Sequence, residues 1–98
     1  MVKIDLGLSS PLYEGCKVQE IGGRLNLQTP PAEAANIIGR NAQEMIDAIS
    51  AEERDEVVLT GPMAVWAYLT VFHTVLHVFT KVVYEDGRGT RVVVAAHG

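Results

Sequence analysis

From Val57 to Thr80 the chain carries no Asp, Glu, Lys or Arg, and in a protein of 98 residues such a run dictates much of what the remainder can do. Its length is that of a membrane span, for which about 20 apolar residues suffice. Gly61-Pro62 divides it, because proline inside a helix removes a hydrogen bond, and His73, His77 and several threonines would be costly in lipid. The run is therefore read as a short buried strand, "EVVLT", followed by a buried helix that starts at Gly61-Pro62 and reaches about His77. No membrane segment is expected.

The flanking sequence supplies the partners that such a pair needs. "MVKIDLGL" alternates loosely as a strand, "SSPLYEG" is a loop, and "KVQEI" and "RLNLQ" around Gly22-Gly23 read as strands or hairpin arms. In "TPPAEAANIIGRNAQEMIDAIS", Thr29 can cap a helix and Pro30 or Pro31 suits its first turn. Ala34, Ile37, Ile38, Met45, Ile46 and Ile49 form an apolar stripe, with Gly39 a mild weakness. "AEERDE" is a solvated turn. "FTKVVYE" and "TRVVVAAH" are strands joined by a hairpin at Asp86-Gly87. The order is strands, helix, strand, helix, hairpin. Strand-helix-strand crossovers of this length favour parallel pairing with right-handed connections, so the predicted fold is a small α/β, Rossmann-like single domain over residues 1–98.

A domain of this size is close to the limit at which a second chain helps to cover apolar surface, so an oligomer is expected. A net charge of −4 argues against general affinity for DNA or long RNA, which rests on a basic surface releasing counterions. An anionic ligand must then be small and locally recognised. Cys16 is the sole cysteine, which excludes an intrachain disulfide and a cysteine-based zinc site, and "MVKIDLGLSS" lacks the apolar core of a signal peptide; a cytoplasmic location is expected.

On the second helix Thr70, His73, Thr74 and His77 fall on one arc, with Val65, Leu69, Phe72, Val75, Leu76 and Phe79 on the rest. The arc is either a ligand-facing stripe or a set of imidazoles packed at a subunit interface. The i, i+4 histidine spacing suits a metal pair, but Thr74 stands where a zinc protease needs Glu. If "EVVLT" and "FTKVVYE" are parallel, Thr60-Gly61-Pro62 and the hairpin Glu85-Asp86-Gly87-Arg88 share the carboxyl edge of the sheet, where ligands of open α/β sheets bind. Gly61 before a helix start could also offer backbone N–H groups to an anion. His77 and His97 should meet at the opposite edge. At ~3.3 Å per strand residue, Asp86 and His77 are then about 25 to 30 Å apart within one chain, and share a site only if two molecules stack.

Thr60-Gly61-Pro62 before a helix, Trp66, His73 and His77 at their distances after it, Tyr84 with an acidic hairpin and Arg88, and the closing "VVVAAH" together resemble the third class of CRISPR-associated ring nucleases, which accompany type III CRISPR defence. The resemblance covers roughly the last two-fifths of the chain; Met63-Ala64 depart from the second glycine usual there. It implies a dimer related to the CRISPR-associated Rossmann fold, stacking to a tetramer or filament. It also implies manganese (Mn2+)-dependent cleavage of cyclic tetra-adenylate held between stacked dimers. On that basis His77 would be general base, general acid or metal ligand, Asp86 (with Glu85 as rival) a metal-binding or orienting carboxylate, and Arg88 a phosphate clamp. Thr60, Gly61, Pro62 and His73 would contact ligand, and His97 would support the metal. Histidine titrates near neutrality, which suits proton transfer. A module that binds the cyclic nucleotide without cutting it, or a structural dimer with histidines at its interface, would share these residues.

Overall fold

The computed structural model describes residues 1–97. Its elements are β1 (Val2–Asp5), β2 (Val18–Ile21), β3 (Arg24–Leu27), α1 (Pro31–Asp47), β4 (Glu56–Thr60), α2 (Val65–Leu76), β5 (Lys81–Glu85) and β6 (Arg91–Ala96), with short 3-10 turns at Pro11–Tyr13 and Ala51–Glu53. The main sheet has the order β1-β4-β5-β6. Its first three strands are parallel and β6 returns antiparallel to β5. The result is an α/β domain with a mixed sheet and two helices, compatible with a Rossmann-like fold. Among the described residues no helix is long and apolar enough to cross a membrane.

Both crossovers step across the sheet in the same direction, so right-handed connections leave α1 and α2 on one face, where they pack against each other. The core lies between: Ile38, Ala42 and Ile46 of α1, Ala67, Val71 and Val75 of α2, and Ile4, Val57, Leu59 and Val82 of the strands are buried together with Leu6, Leu12 and Tyr13. Among the described residues no helix covers the opposite face. There Val58 and Val83 are buried, flanked by the ion pairs Lys81–Glu56 (3.0 Å), Lys3–Glu85 (3.4 Å) and Arg91–Glu85 (3.3 Å).

The sequence around Gly22-Gly23 forms a hairpin, β2 against β3, because both glycines take positive φ (58° and 80°), the geometry of a two-residue turn whose twist matches its strands. Two expectations are corrected. Thr29 does not cap α1: Pro30 is the capping residue and Pro31 the first helical one. Thr29 therefore lies outside the reach of the first-turn amides, and its hydroxyl accepts instead from Lys17 N at 2.7 Å. Helix α2 is not buried all round. Its Ala67–Val71–Val75 row is fully buried and Trp66, Tyr68 and Phe72 pack partly against the core, whereas Val65 and Leu69 stand in solvent because the sheet continues to β6 with no third helix above it among the described residues.

Candidate functional site

The carboxyl edge is built where β1, β4 and β5 end side by side. Asp5 is in register with Thr60, and Thr60 with Glu85. The Thr60 hydroxyl donates to Glu85 O at 2.9 Å, which fixes the start of the hairpin against the end of β4. Gly61 has φ +109°, and a Cβ on it would overlap Asp5 Oδ1 and come within 2.7 Å of Gly7 N and 2.9 Å of Leu6 N. Only glycine lets these two strand-end loops approach so closely. Asp5 Oδ1 in turn accepts from Gly7 N at 2.8 Å. Tyr68 reaches over from α2 and donates to Gly61 O at 2.6 Å, and its ring meets Tyr84 edge-on at 5.4 Å. Burial, then the neighbouring Tyr84 and Asp5, push the Tyr68 phenol up to about 12.

This geometry alters the reading of Thr60-Gly61-Pro62. Helix α2 begins at Val65 with Ala64 as its cap, so Gly61 is not at the helix N-terminus, and the Asp5 carboxylate already lies against it. Gly61 shapes the edge through close packing rather than through an anion cradle. Beside it opens a crevice of about 490 Å³ lined by Asp5, Gly7, Leu8, Ser9, Arg24, Leu25 and Pro62. Sequence reasoning does not single out Asp5, Ser9 or Arg24. The signal for the first two is the strand-ending "DLGLSS", whose loop must emerge on the same edge as Thr60 once β1 and β4 are parallel.

Asp86 organises the hairpin tip. One carboxylate oxygen, Oδ1, accepts from Arg88 N at 2.8 Å and from Thr90 N at 2.9 Å, leaving the other uncommitted to the turn. Arg88 is exposed at the tip. Glu85, the rival carboxylate, is 17% exposed, with Oε2 3.4 Å from Lys3 Nζ and 3.3 Å from Arg91 Nη2, ion-pair distances that lack the alignment of hydrogen bonds. Its charge is balanced on the sheet face, so Asp86 is the more available of the two.

The histidines lie at the other edge. His77 caps the C-terminus of α2, and its ring meets that of His73 edge-on at 5.3 Å; both are exposed. His97 follows β6, held by His97 N donating to Thr80 O at 2.7 Å. The threonines of the expected stripe face inward along the helix, Thr70 Oγ1 donating to Trp66 O (2.8 Å) and Thr74 Oγ1 to Thr70 O (3.3 Å). Strand β5 is shorter than "FTKVVYE" suggests, so His77 and Asp86 are separated by roughly 15 to 20 Å at about 3.3 Å per strand residue. That still keeps them apart within one chain. Among the described residues no three His, Cys, Asp or Glu side chains converge to hold a metal. Comparison with family models, with curated proteins and with solved structures gives no match for this chain.

Proposed function

We propose that this chain is a ring nuclease of the kind its sequence resembles, a metal-dependent phosphodiesterase that opens cyclic tetra-adenylate and so ends type III CRISPR signalling in the cytoplasm. The observation that carries this reading is the separation of two chemically different edges. Thr60, Pro62, Asp86 and Arg88 lie at the carboxyl edge and His73, His77 and His97 at the other, while the register Thr60–Glu85 brings the hairpin beside the end of β4. Phosphodiester cleavage requires a proton acceptor for the attacking oxygen, a proton donor for the departing one, and compensation of phosphate charge. Arg88 supplies the cationic clamp and His77 the proton-transferring group, and they come together only where the edges of two copies meet in a stack of dimers. At such a junction Asp86 of one copy, with His97 of the next in support, would hold Mn2+, which would contribute Lewis-acid stabilisation of the phosphate when bound.

A second reading, sequestration of the ring without cleavage, would draw on the same phosphate-facing residues at the carboxyl edge, Thr60, Pro62 and Arg88. Incubating labelled cyclic tetra-adenylate with the protein, with Mn2+ or with a chelator, and separating products by thin-layer chromatography distinguishes them. Mn2+-dependent linear products are expected; binding with no product selects sequestration. A mixed-sequence linear RNA bound as tightly as the ring contradicts both.

A further inference from the structure

We infer that His73 and His77 of one chain chelate a divalent ion of the zinc, nickel and copper group, a site separate from the manganese that the cleavage reaction calls for. The binding of this ion is independent of the nuclease reading; its effect on turnover rests on that reading. Helix α2 ends on His77, whose backbone is still helical (φ −81°, ψ −9°), so the four-residue spacing from His73 keeps both side chains on one face, one turn apart. Both imidazoles are exposed, with ring centres 5.3 Å apart and planes at 82°. The χ2 torsion of histidine is broad, and its axis runs through the ring, so turning it re-aims the nitrogens while the centres stay in place. One nitrogen of each ring can then approach the other to about 3 Å, and a tetrahedral ion bonded at about 2.0–2.1 Å sets its two ligands about 3.3 Å apart. No backbone movement is required.

The surroundings select the ion. From Val57 to Thr80 the chain has no Lys or Arg to repel a cation and no Asp or Glu to add an oxygen donor, and Lys81, next along the chain, is held by Glu56 at 3.0 Å. Two neutral imidazoles suit Zn2+, Ni2+ and Cu2+, whereas Mn2+, Mg2+ and Ca2+ prefer oxygen, and Mn2+ binds most weakly in the first-row order. The ion sits at the C-terminal end of α2, where the partial negative charge of the last carbonyls favours a cation. The Thr70 and Thr74 hydroxyls are turned to the carbonyls of Trp66 and Thr70, so water fills the remaining coordination positions.

A ring nitrogen bonded to such an ion can neither take up nor deliver a proton. Under the nuclease reading, zinc bound here therefore switches His77 off while Mn2+ keeps its place at the junction between copies.

Calorimetric titration of the full chain tests the site, in a Cys16→Ser background that removes the lone thiol as a rival ligand. One Zn2+ per chain is expected, with Cu2+ tighter and Mn2+ much weaker. His73→Gln and His77→Gln, both folded by circular dichroism, should each lower Zn2+ affinity at least about tenfold, since removing even an outer-shell partner of a metal costs that much. His97→Gln should leave the affinity unchanged. Undiminished Zn2+ binding in His73→Gln overturns the inference, as does a loss in His97→Gln, or an affinity that tightens with protein concentration and so places the ion between copies. Cleavage is a separate arm: saturating Zn2+ should suppress the Mn2+-dependent turnover of the parent and spare whatever turnover His73→Gln retains. Parent turnover indifferent to saturating Zn2+ rejects the switch, whereas a protein that binds Zn2+ through the pair and opens no ring supports the site and refutes the nuclease reading alone.

Discussion

Replacing Gly61 with alanine probes the carboxyl edge most severely. At φ +109° an L-residue is strained, which costs roughly 1–3 kcal/mol. The added Cβ also meets Asp5 Oδ1, Gly7 N and Leu6 N, and overpacking of that kind costs about 1–3 kcal/mol. Two of the three atoms are backbone and cannot rotate away. The sum, roughly 2–6 kcal/mol, is a large share of the about 5–15 kcal/mol that holds an ordinary domain folded. At about 4–8 °C per kcal/mol for a domain of this size, Tm should fall by at least 8 °C or so. Urea unfolding followed by the fluorescence of the single tryptophan, Trp66, reads the change directly. Asp5→Ala added to Gly61→Ala should recover only part of the loss, since the amide contacts and the φ strain remain. A stability within about 0.5 kcal/mol of the parent would refute the close approach of the β1 and β4 loops.

Asp86→Asn keeps an acceptor for Arg88 N and Thr90 N, so it should leave thermal stability nearly unchanged while abolishing turnover, whereas Asp86→Ala should lose both; equal melting of the two variants argues against the turn role. Arg88→Ala should weaken ring binding by about 1.5–3 kcal/mol in calorimetry, and His77→Ala should depress cleavage more than binding; no change in either variant rejects the assignment. Burial first pushes the phenols of Tyr13 and Tyr68 up from 10.0 to about 12. The folded state thus favours their neutral forms, and this contribution is intact below pH 10 and lost as pH rises from about 10 through about 12. Urea stability measured across that window should fall more steeply for the parent than for Tyr13→Phe/Tyr68→Phe.

The element order was legible because each signal was local: the charge-free run split by Gly61-Pro62, the apolar stripe of Ala34, Ile37, Ile38, Met45, Ile46 and Ile49, and Asp86-Gly87 between two valine-rich strands. Parallel pairing followed from connection length, and with it the two edges. What escaped depended on neighbours. The exposure of Val65 and Leu69 follows from the absence of a helix over β6, and apolar periodicity does not report which stripe meets the sheet. Thr29 met the sequence rule for a cap, yet Pro30-Pro31 moved the helix start beyond its reach. Asp5 reads as an ordinary strand residue, and only its contact with Gly61 makes it part of the edge.

The central claim, a site shared between copies, is tested most directly by mixing two inactive proteins, Asp86→Asn and His77→Ala. A productive junction takes its hairpin from the histidine variant and its imidazole from the aspartate variant. Random assembly therefore restores about one quarter of the junctions, and Mn2+-supported cleavage of cyclic tetra-adenylate should return to about that fraction of the parent's rate. A mixture as inactive as either variant alone, with subunit exchange demonstrated by mass spectrometry, contradicts the account.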